Sequence, residues 1–377
     1  MARLWRAPHL PFFLLAALWA GLVPLVWLWP GLSCDPVAWH RQELVLGFAG
    51  AAMGGYLLTA LPHWLKRAGF PGEAVSPRRT AALVAAWGVG RLAGGSCVAD
   101  GPALAGLALY PLGLTLCLVA PVARAGAWSR LPIAAAPLVL LLIAARLRLA
   151  ADGLTAVLGM ALLVALVGGR IVPAFLAARA GAQAGARADD HGPRRRLPWD
   201  ARLADAALAL ALALHLAGSG GRAVGALLIA AAFGQALRMR RWPIAPVLAH
   251  RDLALLLCAW LWLPLGLALV GAGLSGVPDL PRATVLHGLT MGLMGSMVLA
   301  VMARSWMRRD PGRLRVDRPT LIAFGLLQLS TALRLAGGDP ETAALAWQGA
   351  WALAAGLSTS SLFRPVPQPI LSAARGA

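Results

Sequence analysis

Acidic side chains are scarce in this sequence. There are 15 Asp and Glu against 34 Lys and Arg, and both signs together make up 13% of 377 residues. A soluble domain carries roughly 25% charged residues, so a water-facing globule of this size would lack the polar surface to cover itself. Cysteine is also rare: there are four, at positions 34, 97, 117 and 258, and none sits in a CxxC or Cys/His pair with zinc spacing, which argues against a metal–thiolate centre. There is no P-loop, no nucleophile elbow and no GxGxxG followed by an acidic ribose partner. ATPase, hydrolase and soluble-dehydrogenase chemistry therefore lack support, and nothing marks the chain as an enzyme. Ten-residue segments of alternating polarity are missing too, which excludes a membrane β-barrel.

What the chain has instead is long apolar runs. Hydrophobic residues make up 59% and the mean hydropathy is +0.71. Runs of the length needed to cross ~30 Å of hydrocarbon as helix lie near 10–29, 43–62, 80–97, 103–122, 131–149, 153–176, 203–218, 223–241, 253–272, 283–304, 319–336 and 342–363. The expected fold class is all-α, a polytopic transmembrane bundle of about twelve spans. The first run has no small-residue cleavage site after it and reads as a span rather than a signal peptide. Lipid is the principal partner.

The net charge of +19 would suggest nucleic acid in a soluble protein. Here the basic residues fall in short gaps between apolar runs, on no aromatic-bearing face, so nucleic acid is not expected. With the N-terminus inside, most of them gather on alternate gaps: Arg3 and Arg6; Lys66, Arg67, Arg78 and Arg79; Arg124 and Arg130; the 177–202 stretch; Arg238, Arg240, Arg241 and Arg251; Arg304, Arg308, Arg309, Arg313, Arg315 and Arg318; Arg364 and Arg375. The other gaps carry Asp35, Asp100, Asp279, Asp339 and Glu341. This is the positive-inside pattern, and it places both termini in the cytoplasm. The polar stretch 177–202 reads as a flexible cytoplasmic linker between two six-span halves, 1–176 and 203–377. No sequence repeat relates those halves. Cys34 and Cys97 fall near the same outer face, so a bridge is conceivable, although two isolated small apolar residues is the favoured reading.

Ionisable residues inside spans are costly and are the first functional candidates. His40 and Glu43, three apart on one helix face, begin the second span at its outer end, followed by a stripe of Gly47, Gly50 and Gly54. His287 begins the tenth span, with Met291 and Met294 on its face and Gly288, Gly292 and Gly295 as a second stripe. Arg91, Arg146, Arg148 and His215 lie at similar depth, while Arg170 and His63 lie in the inner half. Imidazole binds haem iron or copper, thioether suits Cu(I), and guanidinium matches haem propionates. Plainer readings stand beside these: interfacial histidines, packing methionines, Arg146 and Arg148 snorkelling to water. The tryptophans, most near span ends, read mainly as an interfacial belt, and His9, His191 and His250 as loop residues.

Several segments together resemble the NnrS family of bacterial multispan membrane proteins. They are PFFLLAALWAGLVPL at 11–25, WHRQELVLGFAGAAMGGYLLTALPHW at 39–64, AAWGVGRLAG at 85–94, LVGGRIVPAF at 166–175 and LHGLTMGLMGSMVLAVMAR at 286–304. The resemblance implies haem and copper, and a role in the nitric oxide or nitrosative-stress response or in denitrification, at the bacterial inner membrane. It also implies cofactor-binding positions at His40, Glu43, Arg91, Arg170, His287 and Arg304, with His40 and His287 as metal ligands. There are departures: Gln42 stands where the family has a second His, RRDPGR at 308–313 lacks a family His near Arg309, and His63 replaces Asn. The alternative is a cofactor-free permease for a small, anionic solute, favoured if a buried Arg170 lines a polar passage.

Overall fold

In the computed structural model the described residues are 2–27, 29, 31, 33–72, 74–95, 97–183, 199–244, 250–277, 281–310, 313–367 and 370. Helix dominates, and twelve long helical segments occur among them. They are α1 (His9–Trp27, its last turn tightened to 3-10), α2 (Pro36–Arg67), α3 (Pro77–Ala93), α4 (Asp100–Arg124), α5 (Trp128–Ala150, broken in its first half) and α6 (Gly153–Gln183). They continue with α7 (Trp199–Leu216), α8 (Gly221–Met239), α9 (Arg251–Ser275), α10 (Arg282–Trp306), α11 (Arg318–Leu335) and α12 (Pro340–Ser361). Between α10 and α11, β1 (Arg308–Asp310) and β2 (Arg313–Arg315) pair antiparallel.

Eight of the twelve helices are long and apolar enough to cross a membrane: α1, α2, α4, α5, α6, α8, α9 and α10. The chain is thus a multi-pass membrane protein. The other four expected runs also form helices, but shorter or more polar ones. Three of these, α3, α7 and α11, carry the polar side chains described below, such as Arg91, Asp205 and Gln328. The expected linker at 177–202 begins as helix, because α6 runs to Gln183; its residues 184–198 lie outside the described residues.

The helix starts recur about every 120 residues. First helices begin at His9, Trp128 and Arg251; second at Pro36, Gly153 and Arg282; third at Pro77, Trp199 and Arg318; fourth at Asp100, Gly221 and Pro340. The turn from third to fourth helix is alike in sequence: Arg91-Leu-Ala-Gly, His215-Leu-Ala-Gly and Arg334-Leu-Ala-Gly.

Two second helices, α2 and α10, share an uncommon feature. Each contains a π-helical segment, Glu43–Ala49 and Gly288–Gly295. Wide π turns are rare and concentrate at functional sites. The fifth residue of each is a glycine, Gly47 or Gly292. A Cβ there would lie 2.5 Å from the indole of Trp19 or Trp262 respectively. The glycine stripes thus admit aromatic rings: Trp19 lies at Gly47, Tyr110 at Gly54 and Phe13 at Gly55. We expect Gly47→Ala to displace Trp19 and cost about 1–3 kcal/mol, the usual range for overpacking, read as a lowered thermal midpoint of the detergent-purified protein.

The chain forms two compact units, one of residues 1–156 with 348–370 and the other of residues 157–347. The first buries Phe12, Phe48, Leu58, Leu114, Leu118 and Trp351; the second buries Leu158, Leu176, Leu208 and Trp260. In the first unit Cys34 and Cys97 form a disulfide, with Cα atoms 5.4 Å apart. The two cysteines are therefore not isolated packing residues. The bridge joins the loop before α2 to the turn after α3. Arg148, expected to snorkel, closes the same turn: it donates to Asp100 Oδ1 at 3.1 Å and to the carbonyls of Gly95 and Val98. Arg146 donates to Asp152 at 2.8 Å, and Asp152 in turn caps the start of α6 through Thr155.

Candidate functional site

In the first unit the π segment of α2 opens on Glu43, whose side chain is 0% exposed. A bare carboxylate there would be expensive. Each of its oxygens is matched by a donor. Trp19 Nε1 donates to Oε2 at 2.7 Å, Arg91 Nη1 donates to the same oxygen at 2.8 Å, and Gln42 Nε2 donates to Oε1 at 3.0 Å. Gln42 also donates to the carbonyl of Gly94 at 2.6 Å, tying α2 to the end of α3. Trp87 donates to Gly47 O and Tyr110 to Gly50 O, so the wide turns keep their carbonyls bonded. The Arg91 side chain is 7% exposed and stacks over Trp87, and its Nε has no hydrogen-bond partner among the described residues.

His40 lies one turn before Glu43, half-buried, with its ring 5.5 Å from that of Trp27. The structure therefore brings Glu43 and Arg91 into direct contact, with His40 on the preceding turn.

In the second unit the π segment of α10 follows directly on His287. Its Nδ1 lies 2.7 Å from the carbonyl of Ala283. A carbonyl only accepts, so Nδ1 carries a proton, and in the neutral form of the ring Nε2 would keep its lone pair for a ligand. Metal-bound histidines are commonly oriented in this way by a second hydrogen bond. Beyond it, Trp262 Nε1 donates to Gln328 Oε1 at 2.7 Å, and Gln328 Nε2 donates to Ser296 Oγ at 2.7 Å. The π winding, roughly 4.4 residues per turn, alters one expectation. On that winding Met291, four residues on, would keep the face of His287, whereas Met294, seven residues on and buried, would leave it.

Two further buried networks occupy the second unit. Arg304, 3% exposed, donates to Asp252 at 3.0 Å, and its guanidinium lies 4.2 Å from the centroid of Phe175. It is a buried ion-pair partner rather than a surface anchor. Arg238 donates to Asp205 and Gln235 and to Gly169 O, with Gln235 also donating to Asp205. Arg170, by contrast, is exposed; its neighbour Gly169 supplies the carbonyl that enters a network. Asp205, Asp252, Arg238 and Gln328 escaped the sequence reading, which weighed histidines and arginines. The rarity of acids within or at the ends of spans was the signal that could have found the first two.

Other side chains depart from expectation. His9 and His250 are buried at the starts of α1 and α9 rather than standing in loops. Trp260 and Trp306 are buried, and Trp306 donates to Thr320, whereas Trp27, Trp29, Trp128 and Trp199 are exposed as a belt requires. Arg309, near the position of the missing family histidine, donates to the carbonyls of Met307 and Arg304 and fastens the hairpin to α10.

A haem iron needs one or two axial donors, and one anchored imidazole with its Nε2 lone pair open meets that requirement. A dedicated copper site usually needs more. Among the described residues no three His, Cys, Asp or Glu side chains converge as a metal would require.

No curated protein and no solved structure matches the chain significantly. The family model described as "NnrS protein" does match, over residues 3–365 of 377. That match covers almost the whole sequence, including both π segments and the ion pairs above, and the chain belongs to the NnrS family.

Proposed function

We propose that this is a twelve-span protein of the bacterial inner membrane, both termini cytoplasmic, that binds haem near the outer face and acts in the nitric oxide or nitrosative-stress response or in denitrification. The observation that carries the reading is His287, whose Nδ1 is held by Ala283 O, so that its other ring nitrogen would hold the iron. His40, in the other unit, is a separate candidate imidazole, and Arg91 beside it is already paired with Glu43. Bound haem would supply a redox-active iron able to bind small diatomic gases. The residues of this chain would orient the ligating ring. Copper, implied by the family, would have to combine an imidazole with thioether donors such as Met291, a set suited to Cu(I).

Family membership supports the membrane role; the link to nitric oxide is what the resemblance to that family implies. The disulfide supports the orientation. Cys34 and Cys97 both lie on the side that arginine placement reads as outer, and disulfides persist in the oxidising periplasm rather than in the cytosol. The permease reading looked to a buried Arg170, which is exposed.

The test is a visible spectrum and metal analysis of the detergent-purified protein from a haem-replete host. We expect a Soret band that His287→Ala abolishes or shifts. A wild-type protein with neither chromophore nor copper would refute the cofactor reading.

A further inference from the structure

The hairpin between α10 and α11 sets two arginines against each other. In its register Arg308 stands opposite Arg315, Arg309 opposite Leu314 and Asp310 opposite Arg313. Side chains alternate between the two faces of a strand, so Arg309 and Leu314 share one face, and Arg308 and Arg315 share the other. The first face is turned into the protein: Leu314 is 3% exposed, and Arg309 donates to the carbonyls of Met307 and Arg304. The second is turned outward, with Arg308 and Arg315 both exposed.

Residues directly opposite in an antiparallel ladder have α-carbons about 4.5–5.5 Å apart, and like charges placed so weaken the pairing. Neither guanidinium makes an ion pair or a side-chain hydrogen bond among the described residues. The neighbouring acids are placed elsewhere. Asp310 stands opposite Arg313, and Asp317 accepts from Thr320 N to cap α11. Arg318 at the start of α11 is exposed, as is Arg251 at the start of α9, the helix that β2 contacts, and both add positive charge. Holding a helix end on the cytoplasmic side requires basic residues near it, but not two of them face to face on one ladder. The inner face fastens the hairpin to α10, so the backbone beneath both arginines is set before any ligand arrives.

We propose that Arg308 and Arg315 clamp the phosphate headgroup of an anionic phospholipid. The charged oxygens of a phosphodiester suit guanidinium forks, and one headgroup between the two forks would turn a repulsion into a bridge. Position favours lipid over a soluble phosphate. Arg308 lies two residues beyond α10, which ends at Trp306 and is long and apolar enough to cross a membrane, so the pair stands where headgroups are concentrated. The inference needs the hairpin at a bilayer surface. It depends neither on which leaflet that is nor on haem.

The experiment uses the delipidated full-length protein in a neutral detergent, titrated with phosphatidylglycerol, phosphatidylcholine or inorganic phosphate at constant ionic strength. Retained lipid by native mass spectrometry and the thermal midpoint are the readouts. The wild type should retain phosphatidylglycerol saturably and in preference to phosphatidylcholine. Arg308→Gln with Arg315→Gln should weaken retention roughly tenfold or more, as expected for two basic residues at an anionic surface. Arg308→Lys with Arg315→Lys keeps the charge without the forks and should fall between. Without lipid the glutamine pair should melt no lower than wild type, because it removes a repulsion; with phosphatidylglycerol it should melt lower. Arg78→Gln with Arg79→Gln removes the same charge from two exposed residues at the start of α3 and should leave retention near wild type. Equal retention of the two lipids overturns the clamp, as does a glutamine or lysine pair that holds phosphatidylglycerol like wild type, or a control that loses as much. Saturable binding of inorganic phosphate that the glutamine pair abolishes would make this a soluble-anion site and overturn the lipid assignment. A missing Soret band bears on the haem reading alone.

Discussion

Replacing Glu43 with alanine is expected to destabilise the first unit by about 3–5 kcal/mol, the usual consequence of removing one member of a buried ion pair. The carboxylate is wholly buried and accepts from Trp19, Arg91 and Gln42. Its loss leaves the guanidinium of Arg91, itself nearly buried, without a counter-ion, and strands the Trp19 indole N–H. Arg91→Gln should cost a similar amount, because Glu43 then keeps two neutral donors but loses its cation. The double substitution Glu43→Gln with Arg91→Gln should cost clearly less than the sum, since no uncompensated charge remains. Thermal unfolding of the purified protein, arranged as a double-mutant cycle, measures the coupling. Additive effects would show that the two side chains do not act as a pair.

Cys34→Ser with Cys97→Ser is expected to remove about 2–4 kcal/mol of stability. A cross-link spanning 63 residues restricts the unfolded chain, with larger effects for longer loops. A chain already threaded through a bilayer retains less of that freedom, which keeps the figure below the full solution value. Arg148 holds the same turn by separate hydrogen bonds, so the fold should survive the substitution. In cells, both cysteines should resist alkylation by a membrane-impermeant maleimide until a reductant is added. Immediate labelling of both would show that the bridge does not form.

These two predictions concern one neighbourhood of the first unit. The disulfide fixes the chain at both edges of the Glu43–Arg91 contact: Cys34 precedes α2, and Cys97 follows Arg91 by six positions. Gln42, where the family has histidine, forms the link from Glu43 to Gly94. A side chain able to donate to both acceptors can hold this geometry without a metal.

Much of this was legible in the sequence because membrane solvation is a one-dimensional constraint. Apolar length and arginine placement depend only on order along the chain, so helix positions emerged close to where they lie. His40, Glu43, Arg91 and His287 stood out for the same reason, since charge in lipid is costly wherever it occurs. The sequence by itself determined a helical membrane protein and a short roster of costly residues. Only tertiary structure decided which of them meet. Glu43 needs Arg91 from 48 positions away and Arg304 needs Asp252 from 52, distances over which no local spacing carries information. The π turns were equally invisible, and so were the rings from other helices that lie against their glycines. Hydrophobicity is summed along a chain, whereas ion pairs and ring contacts depend on which helices become neighbours.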